Sequence, residues 1–126
     1  MKHGEFIKHV HERAGVPKDM AETLTRATLE TLADRLAGGE PHDLASQLPP
    51  ELQHYVRPGE KVPERFGVEE FIGRVAAAAK VDGETARRGV RAVLITVREA
   101  VTPGEWDDVM AQLPAEYSEI AEPATA

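Results

Sequence analysis

The 126-residue chain has no cysteine, which removes disulfide frameworks, thiol nucleophiles, CxxC redox pairs and cysteine-ligated zinc or iron–sulfur centres. Positive charge is also scarce. Fifteen Lys and Arg stand against 22 Asp and Glu for a net charge of −7, with −2 in the first 63 residues and −5 in the second 63. Neither half offers the clustered cations that phosphates or anionic lipid surfaces demand, so neither nucleic acid nor a membrane is an expected partner. No uncharged run approaches the roughly 20 residues of a membrane span, and Met1-Lys2-His3-Gly4-Glu5 turns acidic without an apolar signal core. A cytoplasmic, soluble protein is expected. The glycine patterns GxxxxGK[ST] and GxGxxG are missing, and Ser46 has no GxSxG setting. No catalytic residue, cofactor or metal is therefore assigned.

What is present is enough for one ordinary domain. The hydrophobic share is 41%, and a chain of this size buries about two-thirds of its unfolded surface without disulfide or metal staples. The chain is also written twice. Shifted by 65 positions without a gap, it matches itself at 18 of the 51 positions 5–55. Glu5-Phe6-Ile7 falls on Glu70-Phe71-Ile72, Arg26-Ala27 on Arg91-Ala92, Gly39-Glu40 on Gly104-Glu105, Asp43 on Asp108, and Gln47-Leu48-Pro49 on Gln112-Leu113-Pro114.

Each copy reads as helices. Phe6, Ile7, Val10 and Ala14 recur at i, i+3/i+4 spacing, as do Phe71, Ile72, Val75 and Ala79. Pro17 and Asp82-Gly83 end these helices. A longer second helix carries the stripe Ala21, Thr25, Thr28, Leu29, Leu32 and Leu36, matched by Ala86, Val90, Val93, Leu94, Val97 and Val101. Gly38-Gly39 stops the second helix of copy one, whereas Thr102-Pro103-Gly104-Glu105 is a capping box opening the third helix of copy two. Pro49 and Pro114 precede a last short helix in each copy. The expected fold is all-α, a tandem duplication of a four-helix unit packed as one compact domain over residues 1–126. Its repeats span about 4–56 and 69–121, joined by a polar, proline-broken linker 57–68 and followed by a frayed tail 122–126.

The duplicated Glu-Phe-Ile, the long Ala/Leu-rich helix and the closing Leu44-Ala45-Ser46-Gln47-Leu48-Pro49 and Val109-Met110-Ala111-Gln112-Leu113-Pro114 resemble the bacterial family called domain of unknown function 2267. The likeness covers about residues 3–120. It implies an all-α bacterial cytoplasmic protein and brings no catalytic residues.

Several polar groups invite a chemical reading. His9 and His11 lie two apart and so diverge by about 200° on a helix, a poor arrangement for one ion. The acids Glu40/Asp43 and Glu105/Asp108 sit where first-turn carboxylates stabilise a helix N-terminus, which is the role expected of them. Arg87, Arg91 and Arg98 share one flank of the second helix of copy two, a strip for an anion or an acidic partner. Trp106 is expected with its ring against a surface groove. These four residues form the expected interaction surface. Arg26 to Asp43 and Arg91 to Asp108 are expected as salt bridges latching the second helix to the third. The leading functional expectation is a non-catalytic interaction or scaffold module with a protein partner, a homodimer included. The alternative is a small-ligand-binding protein, or an enzyme, using a cleft between the repeats.

Overall fold

A computed structural model describes residues 1–57 and 64–122. Half of the expected linker, residues 58–63, and residues 123–126 of the tail lie outside the described residues. Eight helices and no strand are present among the described residues: α1 (His3–Ala14), α2 (Lys18–Arg35), α3 (Glu40–Ser46), α4 (Pro50–Gln53), α5 (Val68–Ala79), α6 (Gly83–Ala100), α7 (Pro103–Ala111) and α8 (Glu116–Ile120). The all-helical class follows, and no helix is long and apolar enough to cross a membrane.

Local chemistry sets the boundaries. Gly15 ends α1 at φ +67°, and Lys80 ends α5 in the same left-handed conformation at φ +58°, where its Cβ makes the turn costlier. Asp82 caps α6 by accepting the Thr85 amide at 2.7 Å. α7 begins with the expected cap, Thr102 Oγ1 accepting from the Glu105 amide at 3.2 Å. α3 starts later in its half because Gly38, at φ +61°, bends the chain out of helical space.

The apolar face of α1 is buried through Phe6, Ile7, Val10 and Ala14, and that of α5 through Phe71, Ile72, Val75 and Ala79. Both long helices are buried on more than their single expected stripe. α2 packs against α1, α5 and α6, while α6 packs against α1, α2 and α5, so the first helix of each half also lies on the long helix of the other. One continuous core results. The short helices close it, α3 meeting α7 and α4, and α8 meeting α6.

Candidate functional site: a buried carboxylate cluster between the short helices

Where α3 meets α7, Glu40 and Glu105 come together from residues 65 positions apart, with Asp43 and Asp108 one turn further along their helices. Glu40 is 8% and Glu105 7% exposed, whereas Asp43 and Asp108 are exposed at the surface. Oxygen atoms from Glu40, Glu105 and Asp108 all lie within 4.8 Å of one another. None of the four acids joins an ion pair among the described residues.

Two glutamines explain how the acids reach the centre. In an ordinary capping box the acid at the third helical position turns back to accept the amide of the capping residue. Here the Thr102 amide donates instead to Gln47 Oε1 of α3's C-terminal end at 2.7 Å, which leaves the Glu105 carboxylate free to point at α3. The reverse contact is made in the other half, the Ala37 amide donating to Gln112 Oε1 at 2.7 Å. Each short helix thus satisfies a backbone donor that precedes the other.

The electrostatic result is a carboxyl group that holds its proton. Burial pushes Glu40 up to about 8, and the neighbouring carboxylates of Glu105, Asp108 and Asp43 push in the same direction. Glu40 Oε1 and Glu105 Oε2 remain buried without a hydrogen-bond partner.

Read from the sequence alone, these acids have a local role at helix N-termini. Their identity in both halves was the available signal, since residues repeated at 65 positions could also meet across the fold. The expected salt bridges to Asp43 and Asp108 do not form. Arg26 Nε donates to Glu30 Oε1 at 2.9 Å along its own helix, with its guanidinium 5.7 Å from the Tyr55 ring centre, and Arg91 has no bond to Asp108. Both aspartates instead belong to the cluster between the short helices.

The arginine strip divides. Arg87 Nη2 donates to both carboxylate oxygens of Glu69 at 2.6 Å, and with half-buried Arg91 it lines a crevice of about 500 Å³ that also holds Glu84, Glu116 and Glu119. Arg98 lies elsewhere, over the Trp106 ring at 6.0 Å. Trp106 is 7% exposed and joins the core together with Val109, correcting the expectation of a ring lying in a surface groove. His11 is bonded through Nδ1 to the Val16 carbonyl.

A second feature lies between the halves. A crevice of about 740 Å³ is lined by Arg35, Arg65, Phe66, Gln112, Leu113 and Pro114 among others. Arg35, 6% exposed, donates from Nη1 to the Glu64 carbonyl at 2.9 Å, while its Nε is buried without a partner. The same guanidinium lies 5.4 Å from the Phe66 ring centre and 5.8 Å from that of Tyr117.

Residues 3–120 match the family model described as uncharacterized conserved protein, DUF2267, and the chain belongs to that family. No curated protein matches the chain.

Proposed function

We propose that this protein is a non-catalytic helical interaction module of the bacterial cytoplasm, formed by tandem duplication of a four-helix unit. The observation that carries the reading is the exchanged pair of glutamine contacts, Gln47 with Thr102 and Gln112 with Ala37. Polar positions common to both halves are thereby committed to joining them. In support of the duplication, α5 and α6 have the bounds of α1 and α2 displaced by 65 residues. The partner-facing surface in this reading carries both signs, Arg87, Arg88 and Arg91 beside Glu69, Glu84, Glu116 and Glu119, and suits a partner presenting complementary charges of both signs.

A second reading, a small-ligand-binding protein, draws on the crevice between the halves and on the unpaired Arg35 Nε beside it. An anionic ligand with an apolar body matches that lining. Affinity capture of the full chain from its native lysate, followed by native mass spectrometry, separates the two. The first reading expects a stoichiometric protein partner that Arg91→Glu releases and Arg35→Gln retains. The second expects a small mass increment that Arg35→Gln removes. A chain recovered bare in both forms would count against both.

A further inference from the structure

We propose that Glu40, Glu105 and Asp108 form a binding site for one hard divalent cation, such as calcium or manganese, held between α3 and α7. The acidic residues alone would not justify this. What does is that two of them, each more than nine-tenths buried, keep Glu40 Oε1 and Glu105 Oε2 without any hydrogen-bond partner. A proton shared by Glu40 and Glu105 relieves the repulsion between that pair, but it offers nothing to the oxygen of Asp108 lying within the same 4.8 Å. A cation supplies charge and coordination to all three at once.

Donor type points to a hard ion, and the spacing admits one. Oxygens bound about 2.4 Å from one centre are at most about 4.8 Å apart, so a spacing within that limit is compatible with the 2.3–2.6 Å bonds typical of calcium. The three oxygens observed all fall within 4.8 Å of one another. Three carboxylates without nitrogen or sulfur are the donors of a hard ion and not of zinc or copper. Asp108 is exposed, so water completes the shell from the surface side and the ion has a way in. Asp43, the remaining carboxylate, adds negative charge beside the same centre.

The backbone is arranged to keep the acids in place without the ion. Gln47 takes the Thr102 amide that Glu105 would otherwise accept, so this carboxylate has no competing local bond. The site therefore joins the two short helices, and filling it stiffens the same junction that the glutamines hold.

The test is calorimetric titration of the full chain, freed of metal by chelator, with Mn²⁺ and then with Ca²⁺. Emission of Trp106, next to Glu105, is followed in parallel because bound Mn²⁺ quenches a neighbouring indole. One saturable site per chain is expected. Glu105→Gln and Asp108→Asn should each weaken binding at least about tenfold through loss of a charged ligand, while Glu22→Gln on the exposed side of α2 leaves it unchanged. Asp108 is exposed, so its asparagine variant is expected to fold, and far-ultraviolet circular dichroism checks this. No saturable binding up to about 10 mM, ten times the weakest biological calcium sites, would overturn the proposal. So would Asp108→Asn binding as tightly as the unaltered chain.

Discussion

Leu24 of α2 sits directly over Gly89 of α6, so closely that a Cβ built on the glycine would lie 2.7 Å from Leu24 Cδ2 and 2.8 Å from Cδ1. The two residues are 65 positions apart and hold corresponding places in their helices. A large side chain on one helix fills the gap left by a missing one on the other, which lets two long helices cross at close range. Gly89→Ala would gain about 1 kcal/mol in helix propensity. Overpacking against fully buried Leu24 should exceed that gain, costing about 1–3 kcal/mol. Urea unfolding of Gly89→Ala, Leu24→Ala and the double variant should give a double-variant loss smaller than the sum of the single losses. A neutral Gly89→Ala would mean that the helices separate readily there.

Two hydroxyls in the same region are buried at a loss. Thr25 and Thr28 are 0% exposed, and their Oγ1 atoms have no partner. The corresponding positions of α6 carry Val90 and Val93, which are buried as well. Thr28→Val keeps the branched shape and removes an unsatisfied polar atom, so it should stabilise the chain by about 1 kcal/mol. Thr31→Val is the control. Thr31 Oγ1 donates to the Ala27 carbonyl at 2.7 Å, and a smaller gain or a loss is expected there. Thermal midpoints of the two variants provide the comparison.

The core was largely readable from periodicity, since every residue of the two expected long-helix stripes is buried. Leu24, Ala92 and Thr96 are buried too, although they lie outside those stripes. A single-face pattern describes a helix covered from one side, and α2 and α6 are covered by helices from both halves. For the acids the difficulty was different. Glu40 and Glu105 satisfy the local rule for first-turn carboxylates equally well whether they face water or each other. Only the meeting of α3 with α7, a long-range event, tells these cases apart. Trp106 was misread for a related reason. Its neighbours in sequence are charged, but in space its ring joins the buried apolar cluster and has the Arg98 guanidinium 6.0 Å from its centre.

The glutamine contacts give a prediction on backbone protection. Removing the Gln47 side chain leaves the Thr102 amide without its acceptor, and removing Gln112 does the same to Ala37. Both amides lie near the surface, so each Gln→Ala change should cost about 0.5–1.5 kcal/mol and not more. Amide hydrogen exchange offers the sharper readout. Gln47→Ala should speed exchange at Thr102 while Ala37 keeps its protection, and Gln112→Ala should do the reverse. Simultaneous loss at both amides in either single variant would mean that α3 and α7 separate as one unit.

Glu40 should make the stability of the metal-free chain depend on pH. Its carboxyl is pushed up to about 8 from an ordinary value of 4.5, first by burial and then by Glu105, Asp108 and Asp43. Between those two values the folded chain holds a proton that the unfolded chain has released, so the free energy of unfolding falls as pH rises. The contribution is fully present below the ordinary carboxylate value and is lost as pH climbs through about 8. Glu40→Gln fixes the side chain in a neutral form of nearly the same shape, so it should flatten this part of the profile. With chelator present throughout, urea midpoints at about pH 5, 7 and 9 should decline for the unaltered chain and decline less for Glu40→Gln. The variant should be the more stable of the two at the alkaline end, where Glu40 would otherwise be charged beside Glu105. Parallel profiles would show that Glu40 ionises in the folded chain as it does in the unfolded one, and would remove the proton-holding role assigned to the pair.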